Sequence, residues 1–462
     1  MIDGDVLERV LAGALRTGAE FAEVYAEDKR STSAGLDDGR VEQVTSGRDR
    51  GAGIRVVKGD TTGYAHTADL SERGLMDAAA AAASAAARGD GVARVIELRP
   101  ANHTRNGVKV PPDQVETAAK VELLRRVDEA ARSTGKEIVQ VAAGYGDSRR
   151  RVLVANSDGL FSTDEQVRVL VRVNAVADGD AGMQTGFQSM GHTIGYEVFD
   201  KVDVDELARD AARQAITKLQ ARPAPSGAVP VVIRQGTGGV LFHEACGHGL
   251  EADHVAKGAS VYRGKVGELV ASPLVTLVDD GTLSGEWGTL GIDDEGHPTQ
   301  RNVLIQEGVL TDYMWDFLRA RKDGRPQSGN GRRQSYKHLP MVRMTNTFVL
   351  DGPDDPDDIV RATEHGVYIA KLGGGSVNTA TGDFVFGMTE AYLIENGEIT
   401  EPLREGNLIG NGPQVLRDID LLGNDFDMGN PGTCGKDGQG VPVGDGQPTL
   451  RVTAMTIGGT AA

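Results

Sequence analysis

The sequence predicts an α+β fold in two parts. Residues 1–222 read as an N-terminal α/β domain of antiparallel strands and flanking helices, including a helix-and-strand segment from about 110, and residues 229–462 as a C-terminal β-rich domain. Three observations carry this reading. In the first half, period-two apolar runs alternate with amphipathic helical segments. A Pro/Ala/Gly stretch, ARPAPSGAVP at 221–230, then interrupts the pattern. Beyond it, short strands and glycine-rich turns dominate from about Ser272 to Val452, in a chain where Gly is 62 of 462 residues. That is about twice the usual glycine share.

Taken in order, Val6, Leu7, Val10, Leu11 and Leu15 fall on one face of a helix that Gly18 stops. Two hairpins follow. Asp38-Gly39 joins FAEVYAED to the stretch around Val41–Val44, and Lys58-Gly59-Asp60 joins GIRVV to TGYAH. The Ala-rich run Leu75–Ala87 is helical by propensity, with Gly89 as its end. A helix after Pro111-Pro112-Asp113 is expected to turn Val115, Ala118, Ala119, Leu123 and Val127 inward and to stop at Gly135. EIVQVAAGY, RRVLVANSDG and QVRVLVRVNAVA read as three consecutive antiparallel strands, with Ser157-Asp158-Gly159 as one turn. A third helix runs from Asp203 to about Leu219. After the boundary, VPVVIRQ reads as a buried strand leading through Gly236-Thr237-Gly238-Gly239 into one helical segment. The acidic DGPDDPDD at 351–358 reads as a solvated loop capping the next helix.

Composition excludes several roles. With 49 Lys+Arg against 67 Asp+Glu, the net charge of −18 disfavours nucleic-acid binding, which needs a basic footprint. Two cysteines cannot build a disulfide framework. MIDGDVLERVLAGALRTG lacks a basic region followed by an apolar run, so no signal peptide is expected. The longest small-apolar run, Ala78–Ala87, is half of the ~20 residues a membrane span needs. A soluble cytoplasmic protein without membrane or nucleic-acid partners is the expectation.

The chemistry concentrates in LFHEACGHGLEADH, 241–254. His243 and Glu244 stand together, and His248 follows His243 by five positions. On an ideal α-helix that spacing puts the two imidazoles about 140° apart, too far to share a metal. A π-bulge, or a helix that unwinds at its last turn, would bring them to one side. Gly247 and Gly249 bracket His248 and tolerate such a distortion. A catalytic zinc site usually has three protein ligands and one open position. Candidates for the third are Glu251, Asp253 and Cys434, whose neighbours Gly432 and Gly435 would let the backbone approach a metal. Glu251 and Asp253 also read as surface or capping acids, and Cys434 alone as a small buried hydrophobe. Cys246 should point away, and a Cys246–Cys434 disulfide is disfavoured in a reducing cytoplasm. Two imidazoles and a thiolate make a sound zinc shell. Glu244, adjacent to a ligand but not itself one, is placed to take the proton of an attacking water and pass it to a leaving amine. Peptide-bond hydrolysis is the reaction class. Gly236–Gly239 fails as a dinucleotide loop because Leu241 stands where a third Gly or Ala belongs.

Four long motifs then carry a family resemblance: HEACGHGLEAD (243–253), GNGRRQSYKHLPMVRMTN (329–346), LIGNGPQVLRDIDLLGNDF (408–426) and GTCGKDGQGVPVGDGQPTLRV (432–452). In these the chain resembles the TldD/PmbA family of metalloproteases, TldD branch, nearly end to end. The resemblance implies zinc held by His243, His248 and Cys434, with Glu244 as the motif glutamate; none of the four departs from the pattern. It implies an N-terminal α/β domain, a C-terminal β-rich domain carrying the metal, and two chains enclosing a cavity, as a homodimer or a heterodimer with a PmbA-like subunit. It also implies small or unfolded peptides as substrates, without ATP. The Gly-flanked strands suggest that a peptide would be held as an added strand. The alternative is a non-catalytic partner subunit of the same fold that binds peptide or protein without cutting it. An intact set of His243, Glu244, His248 and Cys434 argues against it.

Overall fold

The computed structural model describes residues 1–86, 96–104, 107–180, 182–404 and 406–459. Its first half is one seven-stranded sheet with helices on one face. Helix α1 (Gly4–Ala14) buries Leu7, Val10, Leu11 and Ala14, and a following 3-10 turn ends at Gly18, whose φ of 80° is left-handed. Strands β1 (Phe21–Asp37), β2 (Arg40–Lys58) and β3 (Thr61–Thr67) form a meander. Asp38 and Gly39 both have positive φ, 46° and 73°, the two-residue turn that matches strand twist. Helix α2 (Glu72–Ala86) covers β2 and β3; its expected stop, Gly89, lies outside the described residues. Then come β4 (Arg99–Asn102), α3 (Thr117–Arg132), β5 (Ile138–Asn156), β6 (Leu160–Ala177), β7 (Gln184–His192) and α4 (Val204–Leu219), capped by the Asp203 carboxylate. The sheet order is β3-β2-β1-β5-β6, with β4 and β7 both on the far side of β6.

Two expectations are corrected. EIVQVAAGY and RRVLVANSDG are a single strand, β5, because β1 and β6 pair with it continuously through Gly144–Ser148. Cross-strand bonding on both sides overrides a turn-prone local sequence. Helix α3 also buries a face that only partly matches the expected one. Ala118 and Ala119 are exposed and Val115 half-buried. Leu123 and Val127 turn inward as expected, joined by Lys120, Leu124, Ala130 and Ala131. A lysine is tolerated there because Lys120 Nζ meets Asp147 at 2.6 Å.

Side-chain alternation gives the sheet two characters. Ala22, Val24, Ala26, Leu153 and Ala155 pack under α1 and α2. The opposite parity, Glu23, Tyr25, Glu27, Arg150, Val152 and Val154, faces the second half of the chain. There Arg55 bridges Glu23 and Glu295 at 2.6 and 2.7 Å, and Arg333 reaches Glu23 at 2.6 Å.

The second half holds a closed barrel. Gly227–Ile233 lies between His365–Val377 and Leu450–Gly459. The circuit continues through Gly406–Asn411 and Asp383–Glu395, which pairs back to His365–Val377. Closure leaves these five strands no free edge within the ring. Short strands dominate after Ser272 as expected, but His365–Val377, Asp383–Glu395 and Leu450–Gly459 run to 13, 13 and 10 residues. Arg222–Pro223 already pairs with Leu403–Arg404 at the barrel's side. A second sheet centres on Leu277–Asp280 and Asn346–Val349 and continues in parallel to Gln439–Gln447. Gln439–Gln447 forms a hairpin with Gly432–Lys436 across Asp437-Gly438, whose φ values are 48° and 75°. Asp355 caps the helix Pro356–Arg361, as the acidic loop predicts. Helix α5 (Gly239–Ala245) packs between barrel and second sheet. Among the described residues, no helix is long and apolar enough to cross a membrane.

Candidate metal centre

Helix α5 rises from the turn after Gly227–Ile233 and lasts seven residues. Gly239 is required at its start: a Cβ there would lie 2.3 Å from the Gly446 nitrogen. The helix breaks at Cys246 (φ −123°, ψ −52°) and continues as the 3-10 turn Gly247–Leu250. This break is the unwinding that the five-residue spacing demands. It places the His243 and His248 rings 5.1 Å apart, nearly perpendicular. The bracketing glycines serve for another reason than conformational freedom, since neither has positive φ. A Cβ on Gly247 would meet Met344 Sδ at 2.1 Å, and one on Gly249 would meet the Tyr262 ring at 2.8 Å.

Cys434 arrives from the hairpin strand Gly432–Lys436, opposite Val441. Its Sγ is 3.3 Å from His248 Nε2. One donor atom each from His243, His248 and Cys434 lies within 4.8 Å of the others, all buried. Gly435 has open space where a Cβ would be, so close approach does not depend on it. The register comes from the Asp437-Gly438 turn and from Arg343, which donates to the carbonyls of Cys434 and Gln439. Burial would push the Cys434 thiol up, but the two imidazoles hold it at about 4, as thiolate. Burial also works against charge on His243 and His248; the thiolate on the first and Glu251 with the thiolate on the second raise both.

Both ring nitrogens of His243 are buried without a hydrogen-bond partner. A buried imidazole left so is costly unless something else accepts its lone pair. His248 is oriented for the same purpose: its Nδ1 lies 3.0 Å from Glu251 Oε2, which leaves Nε2 facing Cys434. Two imidazoles and a thiolate suit zinc well. The residues fit a metal ion.

Profiles for the PmbA/TldA metallopeptidase domain 1, central domain and C-terminal domain match residues 22–86, 110–219 and 226–459. The chain belongs to the TldD/PmbA family. It is 39% identical to a metalloprotease TldD homolog of Haemophilus influenzae over 457 residues, covering 96% of this chain and 93% of that one. It is 26% identical to a zinc metalloprotease TldD homolog of Saccharolobus solfataricus, covering 96% and 97%. In fold it resembles a candidate modulator of a DNA gyrase from Thermotoga maritima (TM-score 0.81, 22% identity, 98% and 99% covered). It also resembles TldE from Thermococcus kodakarensis (TM-score 0.76, 20% identity, 98% and 99% covered).

Within this family member, Glu244 is the partly exposed member of the cluster, its side chain 26% accessible and 3.9 Å from His248 Nε2. Glu251 corrects an expectation. It is no surface acid but fully buried, bonding Lys436 Nζ at 2.9 Å as well as His248. Strand alternation puts Lys436 on the same face as Cys434, and the ammonium also takes Asp253 at 2.8 Å. Both carboxylates are therefore paired with the lysine, while Glu251 Oε1 stays buried without a hydrogen-bond partner. Burial would raise the Glu251 carboxyl, yet His248 and Lys436 hold it down to about 2. Sequence reasoning missed Lys436, although Cys-x-Lys on a strand and Glu three residues after His248 were the available signals.

Cys246 points away, into the apolar core, and burial pushes its thiol up to about 12. Both thiols are free. Asp445 lies beside α5; burial, opposed by His243 and aided by Glu244, brings its carboxyl up to about 7. The segment carrying Tyr336 and His338 lies against the N-terminal sheet: the Tyr336 hydroxyl donates to Asp49, and Tyr64 donates to the carbonyls of Tyr336 and His338.

Proposed function

We propose that this protein is a cytoplasmic zinc metallopeptidase hydrolysing peptide bonds in small or unfolded peptides. The single observation that carries it is His243, buried with neither ring nitrogen hydrogen-bonded, beside His248 and a Cys434 thiolate. His243, His248 and Cys434, at the junction of barrel and second sheet, would hold the ion. When bound, zinc supplies Lewis acidity, polarising a carbonyl oxygen and making a water easier to deprotonate.

The rest is work for the chain. Glu244, reachable from solvent and free of the Lys436 pairing that occupies Glu251 and Asp253, takes a proton from the attacking water and returns it to the leaving amine. Glu251 fixes the tautomer and angle of His248. A cleft of about 660 Å3 runs between β7, α4 and the Gly429–Pro431 segment that leads into the Cys434 strand. Among the described residues strand β7 pairs with no strand but β6, so Gln188–His192 brings a strand edge to that cleft. This supports holding a peptide as an added strand, by main-chain bonds insensitive to sequence. The working assembly is a homodimer or a heterodimer with a PmbA-like subunit.

The test is metal content per chain, with peptide cleavage, for the parent, Cys434→Ser and Glu244→Gln. About one zinc in the parent, little in Cys434→Ser, and zinc without turnover in Glu244→Gln are expected. Zinc-free parent protein that is folded and refuses re-metallation would leave a non-catalytic peptide-binding subunit. Unchanged turnover in Glu244→Gln would remove the general base.

A further inference from the structure

On the face of the N-terminal sheet turned to the second half, a cavity of about 190 Å3 is bounded by Lys29, Arg150, Arg168, Arg332 and Arg333, and among the described residues no carboxylate lines it. The sheet brings the first three together by register: Lys29 pairs with Arg150 across β1 and β5, and Ser148 with Arg168 across β5 and β6. Arg332 and Arg333 close it from the opposite side, with Thr433 of the Cys434 hairpin.

The charges do not balance locally. Arg150 is neutralised by Glu27 at 2.9 Å and Asp294 at 3.0 Å, and Arg333 by Glu23 at 2.6 Å. Arg168 and Arg332 have no such partner among the described residues. Arg168 donates to the carbonyls of Trp287 and Thr289 and to Gln166 Oε1. Arg332 donates to the carbonyls of Met344 and Pro442, and its Nε is buried with no partner at all. They are 6% and 2% exposed. Burial, then repulsion from Arg332 and Arg150, brings Arg168 down to about 9 against the opposing pull of Asp164 and Asp294; burial, opposed by Asp294 and Asp279 and aided by Arg343, brings Arg332 down to about 10. Buried cations with no carboxylate in contact are unfavourable, and an anion within reach of both would stabilise them.

We propose that this cavity binds a small oxyanion, a phosphate-class ion or a carboxylate, held by Arg168 and Arg332 and tying the N-terminal sheet to the back of the Cys434 hairpin. Guanidiniums grip such oxygens in pairs. Thr433 and Cys434, adjacent on a strand, point to opposite faces, so this site is separate from the metal donors and Glu244.

The experiment is thermal unfolding of the full chain in inorganic phosphate, sulfate or chloride at matched ionic strength, then with a short peptide bearing a free C-terminal carboxylate or its amide. A saturable rise in Tm with phosphate or sulfate, at least tenfold weaker in apparent affinity in Arg168→Gln, is expected. A rise with the peptide acid and not the amide would assign the anion to a peptide end. Lys29→Gln, at an exposed position, serves where Arg168→Gln does not fold, and should weaken the anion severalfold. The same rise in Cys434→Ser would separate the effect from the metal centre. No ion-specific rise in the parent, or a rise unaltered in both charge variants, overturns the proposal.

Discussion

Glu251 shows how much one buried carboxylate can govern. It touches His248 and Lys436, so its loss frees the imidazole to rotate and leaves a buried ammonium short of a partner. Glu251→Gln should lower metal affinity roughly 10–100-fold, as losses of such orienting partners do; competition against a chelator reads it. The same residue sets an acid limb. Its folded pKa is depressed to about 2 from an ordinary 4.5, so its contribution is complete above about 4.5 and is lost as pH falls towards 2. Acid unfolding of Glu251→Gln should be shallower over that window. Asp445 runs the other way: with its carboxyl raised to about 7 from 3.8, it draws stability down as pH rises between those values. Asp445→Asn should therefore gain stability relative to the parent more at pH 8 than at pH 4, measured by urea unfolding at each pH.

Helix α5 is an element held by its neighbours more than by its own propensity. Seven residues are too few to persist alone, and the break at Cys246 removes a further turn. Its position depends on Gly239 lying against Gly446 and Asp445 of the strand that also pairs with the Cys434 strand. Gly239→Ala would force backbone apart, at a cost of about 1–3 kcal/mol. It should also widen the spacing between His243 and Cys434. A lower Tm together with a reduced zinc stoichiometry is the expected outcome; an unchanged stoichiometry would show that the hairpin follows the helix.

Across the whole molecule, the two halves meet through charge. Arg55, 1% exposed, lies between Glu23 and Glu295, and Arg333 adds a second bond to Glu23. Removing the central cation leaves Glu295 without its counter-charge and Glu23 with Arg333 alone, and breaking a buried pair in this way typically costs about 3–5 kcal/mol. Arg55→Met should lose that much in denaturant unfolding, whereas neutralising Glu23 and Glu295 along with Arg55 should recover part of it. Because the pair is buried, added salt should change the loss little. This network uses the GNGRRQSYKHLPMVRMTN segment, whose arginines support the architecture: Arg333 grips the N-terminal sheet, while Arg332 and Arg343 grip the Cys434 hairpin.

Much of this was written locally. Periodicity placed α1, α2 and α4, the Asp38-Gly39 and Gly59-centred turns, and the Asp355 cap, because each rests on neighbours within a few residues. His243, Glu244, His248 and Cys434 were likewise legible as chemistry, from spacing and family motifs together. Other features needed the tertiary structure. That β5 is one strand, that α3 buries Lys120, and that Glu251 lies buried against Lys436 were decided by partners 20 to 185 residues away. The five-stranded closure of the barrel, and the two buried arginines that no carboxylate contacts among the described residues, are properties of distant chain segments meeting. A local sequence window reports backbone preference and side-chain period; it carries no information on which charge will find a counter-charge once water is excluded.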